Sequence, residues 1–349
     1  MIRALIVDDS ALSRAVLKEV LEADGDIVVV GEADNGAAAL PRVLELKPDI
    51  VTMDIDMPGV NGLGAIERIM QSSPVPILVV TGERLGPETD LGFKALHIGA
   101  LDFLPKPAVT DDAATTRLRV HVRTLCKVNV GERPPETVMP PAVDTDHPME
   151  IIAIGSGTGG PSVIAQFVRA LPEDFPCPIA IVQQMPQRFA TSFARSIQAF
   201  TNLRVQLVTA MPHEMCGGDV ILVDADAHLY CPCRGVLVAI DAPPSAGHRP
   251  SANVLMRSIA EAYGRSAIGI VLSGSGEDGL DGLRALRSVG GLTIAQAPQT
   301  ALVPDVVTKA VKQDLVDRAV PSELLADFVL STVTEAKSKT TAPPSDPTS

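Results

Sequence analysis

The sequence predicts an α/β protein of two domains, each built on a mostly parallel, doubly wound sheet. Three observations carry this. The chain has 349 residues, against the ~100–200 of an ordinary domain. Short apolar runs alternate with stretches of helical length in two separate regions, which implies right-handed βαβ crossovers. Aromatics make up 3% of the chain and Trp is absent, so the cores are left to Val, Ile, Leu and Ala, the residues of buried parallel strands.

In the first region, Ala4–Val7, Ile27–Val30, Ile50–Met53, Ile77–Val80 and Leu101–Leu104 read as five strands separated by helical stretches. Pro41 falls inside the second helical stretch and is expected to kink that helix or delay its start. The first domain is placed at 1–107. Residues 108–149 read as a linker: Arg117–Val128 suits a short basic amphipathic helix, and ERPPETVMPPAVDTDHP carries five prolines without apolar periodicity. The second domain is placed at 150–335, with strands at Ile151–Ile154, Ile179–Val182 and Ile268–Leu272, and 336–349 reads as a disordered tail.

Composition excludes several classes of function. Apolar residues at 46% with 20% charged rule out a largely disordered, collagen-like or coiled-coil chain. A net charge of −13 disfavours nucleic acid and anionic membrane surfaces as partners. Mean hydropathy is +0.23, yet the apolar runs fall far short of the ~18 residues of a spanning helix, so no membrane insertion is expected. Asp8 and Asp9 interrupt the first apolar run, unlike a signal peptide. Five scattered cysteines, Cys126, Cys177, Cys216, Cys231 and Cys233, lack zinc-ligand spacing and suit reduced thiols. The expectation is a cytoplasmic protein.

Ligands of doubly wound sheets sit at the carboxyl ends of the strands. Asp8 and Asp9 close the first strand, Asp54 the third and Thr81 the fourth, and Lys106 follows the fifth, before Pro107 in a step able to take the cis form. Three carboxylates at one rim suit a hard divalent cation such as Mg²⁺. One carboxylate can then attack a phosphoryl group while an ammonium and a hydroxyl steady its oxygens. The stretches V-D-D-S, M-D-I-D-M-P-G-V-N-G, V-V-T-G and G-A-L-D-F-L-P-K-P resemble the receiver domain of two-component response regulators, a flavodoxin-like fold. That resemblance implies Asp54 as phosphoacceptor, Asp8, Asp9 and Asp54 as Mg²⁺ ligands, Lys106 as phosphoryl contact, Thr81 with Phe103 as switch pair, and a histidine kinase as phosphodonor.

In the second domain, a strand, a glycine turn and a helix start follow one another in Ile151 to Pro161. Gly155, Gly157 and Gly160 spell G-x-G-x-x-G, the dinucleotide fingerprint. The acidic residue expected at the end of the next strand is missing, since that strand runs Val182-Gln183-Gln184-Met185-Pro186. The alternative is a hydroxyl nucleophile on the turn, served by a base and a carboxylate from later strand ends. A-I-G-S-G-T-G-G, V-Q-Q-M-P-Q-R-F-A-T-S-F-A, G-H-R-P-S-A-N-V-L, L-S-G-S-G-E-D-G and T-I-A-Q resemble the catalytic domain of the chemotaxis protein-glutamate methylesterase, which also follows a receiver domain and a linker.

That family hydrolyses glutamyl methyl esters on chemoreceptors, and some members deamidate glutamine. Its nucleophilic serine corresponds to Gly157 and its histidine base to Gln184, while its aspartate is kept as Asp278 and a usual methionine is Ser275. Glycine offers no nucleophile, and an amide has no basic lone pair near neutral pH. The resemblance therefore implies a phosphorylation-controlled regulator that binds methyl-accepting chemoreceptors with a catalytically impaired output domain. An active carboxyl-ester hydrolase or glutaminase using Ser156 is one alternative, and a dinucleotide-binding output another. A relocated triad would draw its base from His213, His228 or His248; His228 and His248 fall where the family also has histidines.

Overall fold

The computed structural model describes residues 1–341 apart from 59–60, 83–86, 129, 131–138, 142, 144, 186–188, 209–210, 224–225 and 246. Most of the proline-rich stretch, Pro186-Gln187-Arg188, and the last eight residues of the expected tail thus lie outside the described residues. The chain forms two compact units, Met1–Arg133 and Pro134–Ser349.

The first unit runs β1 (Ile2–Val7), α1 (Ala11–Glu22), β2 (Ile27–Ala33), α2 (Gly36–Leu46), β3 (Ile50–Met53), α3 (Gly62–Ser72), β4 (Ile77–Thr81), α4 (Pro87–His97), β5 (Asp102–Pro105) and α5 (Asp112–Leu125). All pairings are parallel and the strand order is β2-β1-β3-β4-β5. Order reverses between β1 and β3, so a crevice opens where these two strands end. Capping residues start the helices close behind the strands: Ser10 accepts from the Ser13 amide, Asn35 from Ala38, Asn61 from Gly64 and Asp111 from Ala114. Pro41 lies inside α2 without delaying its start, which Asn35 sets at Gly36.

The unit extends past the expected boundary at residue 107. Helix α5, placed in the linker by the sequence reading, begins earlier than Arg117 and buries Thr115, Leu118, Val122 and Leu125. It packs on α1 and β4, and its Arg119 and Arg123 pair with Asp24 and Asp26. Full burial stabilises each apolar side chain by roughly 1.5–3 kcal/mol, so a cut at 107 would expose part of the core.

The second unit contains β6 (Ile151–Ser156), α6 (Gly160–Ala170), β7 (Ile179–Gln183), α7 (Ala190–Gln198), β8 (Arg204–Val208), β9 (His213–Glu214), β10 (Asp219–Val223), β11 (His228–Cys233), β12 (Val236–Ile240), α8 (Ala252–Tyr263), β13 (Ala267–Val271), α9 (Leu280–Ser288), β14 (Leu292–Gln296), α10 (Asp305–Lys312), β15 (Arg318–Val320) and α11 (Leu325–Thr341). Seven strands form a parallel sheet in the order β15-β14-β13-β6-β7-β10-β8. Its direction of winding reverses at β6, between β13 and β7. Strands β11, β12 and β9 form a separate antiparallel sheet, absent from the sequence reading. Helix α11 continues into the segment expected to be a disordered tail, as far as Thr341.

Candidate functional site

The ends of β1, β3, β4 and β5 bring the first constellation together. Asp8 and Asp54 are buried, and carboxylate oxygens of Asp8, Asp9 and Asp54 all lie within 4.8 Å of one another. Lys106 Nζ sits 2.7 Å from Asp8 Oδ2 and 2.6 Å from Asp54 Oδ2. The Asp54 carboxylate also accepts from the Asp56 amide at 3.2 Å, and Asp8 from the Ser10 amide at 2.9 Å. Gly62 lets α3 start against the end of β3: a Cβ there would fall 2.2 Å from the Asp54 carbonyl oxygen. Thr81 is buried and its Oγ1 makes no hydrogen bond among the described residues. Phe103 is buried edge-on to Phe93, ring centroids 4.7 Å apart, with Gly92 against its face. The cis peptide among the described residues is Arg249–Pro250, not Lys106–Pro107.

Burial pushes the Asp54 carboxyl above the ordinary 3.8, and the Lys106 ammonium offsets this only in part. A carboxyl raised in the folded state costs stability as it ionises: the penalty is absent below 3.8, grows as pH rises from 3.8 to the folded value, and is constant above it. Asp54→Asn is therefore expected to raise the unfolding temperature near neutral pH, with the gain shrinking towards pH 4. Melting curves of both forms across pH check it, and equal melting temperatures at neutral pH would refute it.

The second constellation lies where β6, β7 and β13 end. Gly157 and Gly274 are backbone against backbone: the Gly157 amide donates to the Ser273 carbonyl at 2.9 Å, and a Cβ on Gly157 would lie 3.0 Å from Gly274 Cα. The same Cβ would lie 3.8 Å from Gln184 Oε1. Gln184 Nε2 donates to Asp278 Oδ2 at 2.9 Å. Gly157, Gln184 and Asp278 thus stand in line.

Ser156 faces elsewhere. Successive strand residues point to opposite faces, and the Ser156 hydroxyl is buried at the start of α6, filling the space a Gly160 Cβ would need, close to Gln183. Its Oγ makes no hydrogen bond among the described residues. The structure brings Ser156 to Gly160 and Gln183, whereas Gly157 faces the Gln184–Asp278 pair.

Asp278 has a role that sequence reasoning missed. Its carboxylate accepts from Ser251 Oγ at 2.6 Å and from the amides of Ala252 and Asn253 at 2.8 and 3.1 Å. It caps α8 from another segment, in place of the Ser251 side chain, which makes no capping bond of its own. Asp278→Ala leaves these donors and Gln184 Nε2 without an acceptor, and is expected to cost about 2–4 kcal/mol. Denaturant unfolding of the second unit measures this, and a loss below about 0.5 kcal/mol would contradict the capping role.

None of the three histidines joins the line. His228 is buried, its Nδ1 accepting from the Ser251 amide and its Nε2 donating to the Pro243 carbonyl. His213 Nε2 lies 3.9 Å from Asp219, which starts β10. Val220 pairs with Ile179, so Asp219 is at the amino edge, roughly 15 Å of strand from Gln183. His248 lies beside Gly276, its Nε2 3.7 Å from where a Cβ would sit.

The G-x-G-x-x-G spacing does follow a strand and open a helix, but its glycines are occupied by the protein itself. A Cβ on Gly155 would lie 2.5 Å from Ala252 Cβ, Gly157 meets Gly274, and Gly160 meets Ser156. In the dinucleotide fold the corresponding glycines let the backbone approach a pyrophosphate.

Comparison with known proteins places both units. The response regulator receiver domain model matches residues 4–118, and the CheB methylesterase model residues 152–329. The catalytic domain of Thermotoga maritima CheB methylesterase superposes with a TM-score of 0.50 at 27% identity, covering 52% of this chain and 98% of that one. The fold and domain order are those of a response regulator with a methylesterase-type output domain. A protein-glutamate methylesterase/protein-glutamine glutaminase of Anaeromyxobacter dehalogenans is 37% identical, covering 92% of this chain and 94% of that protein. One from Koribacter versatilis is 32% identical over 94% and 95%. The chain belongs to the CheB-type protein-glutamate methylesterase/glutaminase family. Among the described residues no helix is long and apolar enough to cross a membrane.

Proposed function

We propose that this protein is a phosphorylation-controlled, cytoplasmic response regulator of chemotaxis-type signalling whose output domain engages chemoreceptors without hydrolysing them. The observation that carries the reading is the line Gly157, Gln184, Asp278, which keeps the order of a hydrolytic triad and lacks both its nucleophile and its base. Gln184 reproduces the hydrogen-bond polarity of a neutral histidine, donating to the carboxylate and turning an acceptor to the turn. An amide oxygen is not basic enough to take a proton from a hydroxyl near neutral pH. Loss of either partner in a serine hydrolase costs ~10⁶ in kcat.

The hydrolase alternative through Ser156 is disfavoured by geometry, since that hydroxyl is buried against Gly160 and Gln183. Methanol release from methylated receptor by the phosphorylated protein is the test.

For the receiver, the reading is phosphoryl transfer from a histidine kinase to Asp54. An Asp54 carboxylate oxygen attacks phosphorus, an O–P bond forms, and the bond to the donor nitrogen breaks. The donor set suits Mg²⁺, a hard cation taking carboxylates and water, with Asp8, Asp9 and Asp54 holding it. Bound there, Mg²⁺ would lessen the repulsion between this acidic pocket and an incoming phosphoryl group. Lys106, already on Asp54 Oδ2, is placed to follow the transferred oxygens, and the unsatisfied Thr81 hydroxyl to donate to one. Thr81 and Phe103 are the proposed switch pair.

A further inference from the structure

We infer that Cys231-Pro232-Cys233 is a thiol modification site, at which a hydroperoxide oxidises the two cysteines to an intramolecular disulfide. The pair lies on β11, away from both constellations described above, with Cys231 buried and Cys233 exposed, and both thiols are free.

On a flat strand the Cα atoms of residues i and i+2 stand roughly 6.5 Å apart, near the upper limit a disulfide spans. Strand β11 is not flat here. Tyr230 pairs with Val238 and Cys233 with Val236, so Cys231 and Pro232 together oppose Leu237, and a bulge of this kind bends the strand that carries it. Pro232 has no N–H, so the irregularity takes no donor from the ladder at that position. The Cys231 side chain is already turned along the chain towards its neighbour: its S–H donates to the Cys233 carbonyl at 3.2 Å. The Cys231 amide donates to Ser258 Oγ on α8 at 3.0 Å, which fixes the backbone beneath that side chain.

The two thiols differ in access. Burial pushes the Cys231 thiol up to about 11, and charge on Cys233 raises it as well, so Cys231 stays protonated and unreactive towards a solute. Cys233 is the sulfur a solute reaches. Its thiolate attacks the hydroperoxide: an S–O bond forms, the O–O bond breaks, and the far oxygen leaves as hydroxide or alkoxide, giving a sulfenic acid. The Cys231 sulfur then attacks the Cys233 sulfur: an S–S bond forms, the S–O bond breaks, and the Cys231 proton leaves with the hydroxyl as water. The pair loses two electrons and the hydroperoxide gains them. A small dithiol reverses the reaction by exchange.

The experiment treats the reduced full chain with a small molar excess of hydrogen peroxide, blocks the remaining thiols with N-ethylmaleimide and digests with trypsin. The fragment from Val205 to Arg234 carries Cys216, Cys231 and Cys233, and fragmentation in the mass spectrometer places the bond among them. The expected result is a loss of two hydrogen atoms with Cys216 alone alkylated, reversed by dithiothreitol. Cys216→Ser is expected to leave the bond intact and Cys233→Ser to abolish it, while in Cys231→Ser the Cys233 sulfenic acid persists and is trapped by dimedone. A bond from Cys216, a disulfide joining two chains, or a fragment that stays fully alkylated overturns the inference.

Discussion

Gly157→Ser combined with Gln184→His is expected to convert the protein into a working methylesterase, raising methanol release from methylated receptor by at least ~10³-fold over either single variant, out of the ~10⁶ a complete triad supplies. The scaffold is already set for it. A histidine at 184 has a ring N–H to replace the Gln184 donor to Asp278 Oδ2, and that bond turns its other nitrogen towards residue 157. A serine Cβ at 157 meets Gly274 Cα at 3.0 Å, so the Gly274 turn must yield by a few tenths of an ångström, with a modest loss of stability. Gly157→Ser alone faces an amide oxygen that takes no proton, and Gln184→His alone has no hydroxyl to activate. The signature is thus strong non-additivity: two silent single variants and one active double. A folded but inert double variant would show that more than these two positions has been lost.

The second large effect concerns the receiver. Asp54→Asn is expected to abolish acyl-phosphate formation from acetyl phosphate in the presence of Mg²⁺, because it removes the carboxylate proposed as the nucleophile, which Lys106 contacts at 2.6 Å. Asp9→Asn leaves that nucleophile in place and removes only a proposed metal ligand, so labelling slows without disappearing. Mass spectrometry of the intact protein distinguishes the two. A phosphorylated Asp54→Asn protein would refute the assignment.

The contrast between the two halves explains what the sequence revealed. Strand ends were legible because a β-branched run closing on a polar residue marks a buried parallel strand meeting its rim. Five residues on successive strand ends, Asp8, Asp9, Asp54, Thr81 and Lys106, therefore map to one pocket without side-chain coordinates. The antiparallel sheet was not legible: β9 has two residues, and β11 carries Cys231, Pro232 and Cys233 in place of a clear alternation. Helix α5 was placed in the linker because Arg117, Arg119 and Arg123 make it read as solvated, although two of these arginines are held by acids about a hundred residues earlier.

In the second site, the substitutions at 157 and 184 were visible, but two physical reasons behind the geometry were not. Gly157 packs on Gly274, and Asp278 caps α8 through Ser251, Ala252 and Asn253. Both relations link segments far apart in the chain, which no local pattern reports. The second also supplies a reason for an aspartate at 278 that is independent of catalysis.

On the proposed reading the output domain lacks hydrolytic chemistry while the receiver keeps what phosphorylation needs. The most direct test of that reading is methanol release from methylated receptor by the wild-type protein, with and without acetyl phosphate. The predicted result is full acyl-phosphate formation with no release above the uncatalysed background. Phosphorylation-stimulated release that vanishes in Ser156→Ala would contradict it.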